Sequence, residues 1–350
     1  MRRDWDARAA ADARHYIYTR DDSADIADFD ASGRANYNQL VRPYLPVLLE
    51  GRDAHACRAL EIGCGLGRMT RWFAEAFGEV HALDVSPAML EAARARLAAA
   101  PNVHLHLGSG YDLAGLPDGW FDLVFSYIVF QHIPLRAAIE TYVREAARVL
   151  KSGGTFKFQL NGDQSPEYRA HTRDTWLGET FSDDEARAML KAAGFSVLMA
   201  EGAGTQYFVL TARKGTPAMP AGLRPYLLPG EPWAAAQLHD GWYDAVDASW
   251  RPVAPRSTAL LAWPGDPARF FLGLYCWPGD PAASREIEVS LNGRTIGSAV
   301  LEGPGDHYTE MAAPPSTEPA LEVRITITPP PERRYAPALR CLGLYRPAGV

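Results

Sequence analysis

Hydrophobic and polar positions in the first 213 residues alternate between two periods. Apolar runs of strand length recur at RALEIG (58–63), EVHALD (79–84), VHLHL (103–107), FDLVFSY (121–127) and GGTFKFQL (153–160). Between them stand stretches with helical spacing, LGRMTRWFAEAF (66–77), AMLEAARARLAAA (88–100) and LRAAIETYVREAARVL (135–150). Ser86-Pro87 supplies an N-cap followed by Pro at the first helical position, and Pro134 can start a third helix. Ser182 with Glu185 reads as a capping box before a helix to Lys191. FSVLMA (195–200) and QYFVLTAR (206–213), joined by EGAGT, read as a closing hairpin. Repeated strand–helix units predict an α/β fold, a parallel sheet with ligands at the strand carboxyl ends. The hairpin predicts one antiparallel strand in it.

From about Gln237 the pattern changes to short alternating runs bounded by Pro and Gly. TALLAWP (258–264), RFFLGLYCW (269–277), EIEVSLNG (286–293), RTIGSAVLEG (294–303) and ALEVRITITPP (320–330) read as strands. Asn292-Gly293 between two of them is a hairpin signal. An all-β sandwich or jelly roll is expected there. Proline usage marks the junction: 7 of the 27 prolines lie at or before Arg213, and five fall within Lys214–Trp233 alone. Such a stretch propagates neither helix nor inner strand. The expected organisation is a first domain at 1–213, with N-terminal helices in 1–50, a Pro-rich linker at 214–236 and a β-sandwich at 237–350.

The 350 residues are 47% hydrophobic and 22% charged, enough for a sizeable core. A net charge of −7, with no basic stripe and four lysines in all, disfavours nucleic acid as partner or substrate. Cys57, Cys64, Cys276 and Cys341 are scattered, without metal or disulfide spacing, which suits reduced thiols in a cytoplasmic protein. The N-terminus lacks an apolar stretch of the signal-peptide kind, and the longest apolar run, Leu123–Phe130, is too short to span a bilayer.

Chemistry concentrates in LEIGCGLG (60–67), where Gly63, Gly65 and Gly67 follow a strand and open a helix. Glycines there let the backbone turn tightly and approach a ligand. The sixth place of a dinucleotide fingerprint holds Arg68 instead of a small residue, and no Walker A lysine is present. Glu61 stands two residues before the first glycine. Asp84 ends the second strand, where a carboxylate can accept both hydroxyls of a ribose, and Ser86 already fills the adjacent helix cap. His104 and His106 share a strand face, but no carboxylate or Cys neighbour completes a metal set, so no metal is expected. The small size of Cys64 suits the turn.

Five motifs in order, LEIGCGLGR, VHALDVSPAML, LGSGYDL, FDLVFSYIVFQHIP and RVLKSGGTFKFQ, make residues 5–214 resemble the class I S-adenosylmethionine-dependent methyltransferases. The resemblance implies a Rossmann-like sheet of seven strands with S-adenosylmethionine across its carboxyl edge. It places Gly63, Gly65 and Gly67 against the methionyl part and ribose, in a cofactor set with Glu61. Asp84 would hold the ribose, Val85 and Met89 would flank the adenine, and the Ser126 carbonyl would meet the methionine ammonium. Ser109 stands where many members carry Asp toward the adenine amine, with Gly110 and Tyr111 beside it. His132 is the candidate general base for a hydroxyl acceptor, its ordinary pKa near 6.5 suiting proton removal; shaping the loop is the alternative. Gln131 would orient the acceptor, and Gln159 and Asn161, at the end of the fifth strand, would either face it or simply pack there. An N-terminal helix would act as a lid bringing Tyr16 or Tyr18 to the donor or the acceptor, or would simply pack on the sheet.

LHDGWYD (238–244), SLNG (290–293) and LRCLGLY (339–345) look similar to β-sandwich modules attached to bacterial polysaccharide glycosyltransferases and methyltransferases. Those modules often carry an acidic residue before an Arg-Trp pair, where this chain has Asp247 and Ser249-Trp250, and Asp two residues before the Arg of the closing strand, where it has Ala338 before Arg340. Trp242, Tyr243 and Trp250 either stack on sugars or fill the core. Together the resemblances imply O-methylation of a sugar or glycan intermediate of polysaccharide assembly. A methyltransferase of a specialised small metabolite, at oxygen, nitrogen or carbon, and a non-catalytic S-adenosylmethionine-binding scaffold stand as alternatives.

Overall fold

The computed structural model describes all residues except 18–25, 172, 216–222, 230–233, 244–250, 267 and 346–350. The chain divides into two compact units, residues 1–41 with 54–217, and residues 42–53 with 218–350.

The first unit is a three-layer α/β structure. Its strands are β1 Arg58–Ile62, β2 Glu79–Asp84, β3 Val103–Leu107, β4 Phe121–Ser126, β5 Leu150–Leu160, β6 Phe195–Glu201 and β7 Phe208–Lys214, in the order β3-β2-β1-β4-β5-β7-β6. The first five run parallel, while β7 lies antiparallel between β5 and β6. The expected hairpin therefore supplies the last two strands. The order reverses between β1 and β4, which opens a crevice at their carboxyl ends. Every residue of β4 is buried, as a central strand covered on both faces requires.

The N-terminal helices are α1 Arg2–Ile17 and α2 Ile26–Leu40, and α3 Leu45–Leu48 belongs to the second unit. Further along lie α4 Thr70–Ala76, α5 Pro87–Arg96, α6 Arg136–Val149, α7 Pro166–Ala170 and α8 Asp183–Ala192. The Ser86 hydroxyl accepts from Met89 N at 3.1 Å to cap α5, and the Ser182–Glu185 box caps α8. Helix α4 begins at Thr70, several residues later than the periodicity at 66–77 suggests, because the glycine turn occupies that stretch. Helix α6 buries Ile139, Tyr142, Val143 and Ala146 along one stripe against the sheet.

Helix α1 buries no residue fully; Trp5, Ala9, Ala13 and Ile17 pack on Phe29, Leu66 and Met89, and polar bonds add to this contact. Arg2 donates to the carbonyls of Val85 and Gly108, Arg8 to that of Thr175, and Asp4 accepts from the Thr175 hydroxyl at 2.9 Å. Asp12 interrupts the helix, and its Oδ1 accepts from Arg14 N and His15 N to start the next turn.

The second unit contains β8 Tyr226–Leu227, α9 Ala234–Gln237, β9 Arg251–Pro252, β10 Arg256–Ala262, β11 Ala268–Cys276, β12 Ser284–Leu291, β13 Arg294–Glu302, β14 Gly305–Ala313, β15 Ala320–Thr328 and β16 Ala338–Tyr345. Two antiparallel sheets, β10-β15-β12-β13 and β14-β11-β16-β8, share one core that includes Leu261, Phe270, Ile287, Val323 and Leu342. Asn292 and Gly293 both have positive φ, 46° and 77°, the primed turn that twists with its strands. Strands β14 and β16 add to those the apolar pattern marks; β14 shows little alternation and β16 is buried almost throughout.

The boundaries differ from those read in the sequence. Residues 42–53 pack with the second unit because α3 is apolar, burying Pro46, Val47 and Leu48, and Tyr44 Oη lies 2.9 Å from Tyr308 Oη. Within the expected linker, Leu227 and Ala234 are buried in the sandwich core. Trp242 donates from its indole to the Thr258 carbonyl at 2.7 Å and packs on the same core, while Arg333 lies over the Tyr243 ring. Arg340 pairs with Asp306 at 2.8 Å. Asp247, Ser249 and Trp250 lie outside the described residues.

Candidate functional site

Two cavities adjoin at the carboxyl edge of the first unit's sheet. The first encloses about 920 Å³ including its open mouth. Its floor is the turn after β1, where Gly63 and Gly65 carry φ of 77° and 53°. A Cβ on Gly63 would stand 2.3 Å from Val129, and one on Gly65 would stand 2.8 Å from Ile17. Any side chain at Gly63 would therefore both strain the backbone and collide. The third glycine of the motif does not line the cavity: Gly67 is backed by Leu97, so its role there is packing.

The carboxylate of Asp84 lies at this turn. Its Oδ2 accepts from Gly65 N and its Oδ1 from Ser86 N, each at 2.9 Å. Burial raises its pKa, and these amide donors oppose the rise. The Val85 amide also bonds the carboxylate, which leaves part of its acceptor capacity for a ligand. Glu61 is buried at the base, accepting from the Thr70 hydroxyl at 2.6 Å. Burial pushes its carboxyl up to about 7, against the pull of Thr70 and Arg68. Burial likewise raises the Cys64 thiol, which keeps it protonated and inert.

Val85, Met89 and Gly110 line the same cavity, with Met1, Trp5, Tyr16 and Ile17 of the α1 segment. Three other expected contacts do not line it. The Ser109 hydroxyl donates to Asp112 and accepts from the amides of Tyr111 and Asp112, so its local turn occupies it. Tyr111 is 46% exposed. Ser126 is buried, its hydroxyl donating to the Ile62 carbonyl at 3.0 Å. Tyr18 lies outside the described residues.

The second cavity, about 1070 Å³ with its mouth, shares Tyr16, Ile17, Arg68, Tyr127, Ile128 and His132 with the first. Asn36, Gln131, Asn161 and Gln206 add four amides, and Tyr168, Trp176 and Tyr207 add aromatic surface. Arg68 is buried between the cavities, donating to Asn36 Oδ1 at 2.7 Å and to the Ser32 hydroxyl.

His132 sits where the cavities meet. Its Nδ1 lies 2.9 Å from the Trp176 carbonyl, which only accepts, so Nδ1 carries the proton. Nε2 then accepts from the Gln131 amide at 3.1 Å. Asp174 accepts from the amides of Trp176 and Leu177, which fixes that carbonyl. The rings of Trp5 and Trp176 enclose the imidazole at centroid distances of 5.5 and 5.3 Å. Burial drives its pKa down to about 4, well below the ordinary value expected from the sequence. The ring is neutral at pH 7, with its lone pair on Nε2.

Behind Gln131 stands Gln159, which does not line either cavity. Its amide donates to Gln131 Oε1 at 2.7 Å and its Oε1 accepts from Ile128 N at 2.8 Å. Ile128 has φ of 56°, costly for a β-branched residue, and the Gln159 bond helps hold it there.

Sequence reasoning found His132, Gln131, Asn161 and Tyr16 but not Asn36, Tyr127, Tyr168, Trp176, Gln206 or Tyr207. These come from α2, the loop after β4, and the segments after β5 and β6, and no local pattern joins them.

A family model described as a methyltransferase domain matches residues 60–158. Trans-aconitate 2-methyltransferase of Methylobacterium radiotolerans is 30% identical over 225 residues, covering 59% of this chain and 83% of that protein. Ubiquinone biosynthesis O-methyltransferase of Xanthomonas oryzae pv. oryzae is 34% identical over 103 residues, 29% of this chain; the match spans 42% of that relative's length. Among solved structures, magnesium protoporphyrin IX methyltransferase of Synechocystis with bound SAH is 17% identical with a TM-score of 0.46, covering 61% of this chain and 98% of that one.

Proposed function

The chain belongs to the S-adenosylmethionine-dependent methyltransferases, and we propose that it methylates a hydroxyl on a sugar or glycan intermediate. The glycine cradle and the cavity volume fit the donor: Gly63 and Gly65 keep Cβ atoms out of the floor, and Asp84 and Glu61 supply carboxylates at its walls. When bound, S-adenosylmethionine supplies the electrophilic sulfonium methyl. In this reading Asp84 holds the ribose, Val85 and Met89 flank the adenine, and Glu61 receives the cationic methionyl end.

The observation that carries the acceptor reading is the amide- and aromatic-lined second cavity meeting the first at His132. Amides both donate and accept, as vicinal hydroxyls do, and aromatic faces stack on sugar C–H surfaces. Arg68 is the one Lys or Arg among its described lining residues, and no Asp or Glu is there. That lining suits a neutral polyol better than a multiply charged acid. The likeness of the second unit's motifs to polysaccharide-associated modules supports the same reading. The acceptor hydroxyl would bond His132 Nε2 in place of the Gln131 amide, with Trp5 and Trp176 excluding water. Alignment and desolvation then carry most of the rate, and His132 takes the proton as the oxygen attacks.

A hydroxyl on a flat phenolic acceptor is the second reading, favoured by Tyr127, Trp176 and Tyr207 and by the ubiquinone-pathway relative. Release of S-adenosylhomocysteine with nucleotide sugars and glycan fragments, against a panel of phenols and carboxylic acids, tests the proposal. Turnover on phenols alone would overturn the sugar reading.

Glu61 gives a pH prediction. Its pKa of about 7 means the carboxyl is largely protonated below that pH, whereas a cation beside it favours the ionised form. Donor affinity should therefore rise with pH up to about 7 and fall about tenfold per unit below it. Isothermal titration at pH 5.5–7.5 reads this directly. Glu61→Gln should bind more weakly at neutral pH and lose the slope; a variant keeping the parental slope would remove Glu61 from that role.

A further inference from the structure

A second constellation lies away from the cleft, on the outer two strands of the sheet. Period-two spacing puts Glu79 and His81 of β2 on one face, and His104 and His106 of β3 on one face. The parallel register sets His81 beside His104. The carboxylate that the sequence around His104 lacks is thus supplied across the ladder. One ligand atom each from Glu79, His81 and His104 lie within 4.8 Å of one another. The His81 ring is 4.9 Å from that of His104 and stacks at 4.9 Å on that of His106.

We propose that Glu79, His81 and His104 bind a divalent transition cation of the zinc class. A donor set of two imidazoles and one carboxylate suits Zn²⁺, Co²⁺, Ni²⁺ or Cu²⁺, with water completing the tetrahedron, and is too poor in oxygen for Mg²⁺ or Ca²⁺. Metal–ligand bonds of about 2.0–2.1 Å need donor atoms roughly 3.3 Å apart. The Glu79 Oε1 to His81 Nε2 bond, now 2.7 Å, opens slightly to admit the ion. His104, whose side chain is exposed, swings inward. Arg58 Nε holds the other Glu79 oxygen at 2.8 Å, which presents Oε1 to the ion.

His106 sets the ring state of His81. Glu79 accepts from His81 Nε2–H, so His81 Nδ1 accepts from His106 Nε2–H across 2.9 Å. When the ion takes Nε2, the His81 proton moves to Nδ1 and donates to His106, whose own proton moves to its Nδ1. No proton is lost, and the ligating ring gains the buttress that metal-bound histidines ordinarily have. The site would tie the edge strand β3 to β2, whose far end carries Asp84. That residue lies three positions beyond His81, about 10 Å along the strand and on the opposite face.

The test uses tag-free full-length protein freed of metal by chelation, titrated calorimetrically with ZnCl₂ and melted with and without it. One ion per chain and a raised Tm are expected. His104→Ala, at an exposed position, should keep the metal-free Tm and lose at least about tenfold in affinity; Glu79→Gln should lose as much affinity, whatever its metal-free Tm, and His106→Ala about 10–100-fold. His307→Ala, a surface control in the second unit, should change nothing. Absence of saturable binding below about 1 mM, parental affinity in both ligand variants, or equal binding of MgCl₂ would overturn the site.

Discussion

Replacing His132 by alanine is expected to lower turnover by roughly 10²-fold, the low end for general-base help because burial leaves the ring a weak base, with donor affinity nearly unchanged. The side chain lies at the junction of the cavities with its lone-pair nitrogen toward Gln131 and the second cavity. With its pKa near 4, the ring is already neutral across the working range, so the parental rate should be flat with pH above about 5. A rise centred near 6.5, the behaviour of an unperturbed imidazole, would contradict the buried ring. His132→Gln separates basicity from shape: near-parental turnover would leave His132 as a positioning residue and shift the acceptor toward an amine or an activated carbon. Stability gives an independent check. The folded pKa lies below the unfolded value near 6.5, so the unfolded chain binds more protons between pH 6.5 and 4, and the parent loses stability as pH falls through that window. The difference is about 3 kcal/mol for this one group. Denaturation of His132→Gln beside the parent should show it retaining that amount at pH 4, with the two curves converging in slope above pH 7.

The fold was legible because its signals are local and agree with one another. Strand β2 spans Glu79–Asp84 as the apolar run indicates, Ser86-Pro87 opens α5, and the residues joining β6 to β7 turn where EGAGT falls. The lining of the first cavity was mostly legible for the same reason: Gly63, Gly65 and Asp84 lie on consecutive elements that the sheet places side by side. What spacing could not show is which way a side chain points. The Ser109 hydroxyl, expected toward the adenine, is taken up by its own turn with Asp112, and the Gln159 amide turns to Gln131 instead of into the cleft. The second cavity depends on Asn36, Asn161, Trp176 and Tyr207 arriving from segments far apart in sequence. Residues 42–53 were misplaced for a related reason, since an apolar helix carries no mark of which core it joins. The Glu79–His81–His104 group was invisible until parallel register set two strands side by side.

Asp84→Ala should weaken S-adenosylmethionine binding by about 1.5–3 kcal/mol, or roughly 10–150-fold, the scale of lost charge-assisted hydrogen bonds. Part of that loss has a second source, because Asp84 also fixes the amides of Gly65 and Ser86. Alanine frees the glycine turn as well as removing the acceptor, so affinity alone does not isolate the contact with the ribose. A double-mutant cycle does. Parent and variant are each titrated with S-adenosylhomocysteine and with its 2′-deoxy analogue. If Asp84 accepts from the ribose, deleting the hydroxyl costs the parent much more than the variant, and the two losses fail to add. Additive losses would leave Asp84 only as the anchor of the turn. NAD, which carries the same adenosine, gives the contrast: Arg68 stands where a pyrophosphate fingerprint needs a small residue, and the floor between Gly63 and Val129 leaves no room for a side chain. NAD should show no saturable binding; micromolar affinity would mean that the cradle selects adenosine alone and that specificity for the sulfonium donor lies elsewhere in the cleft.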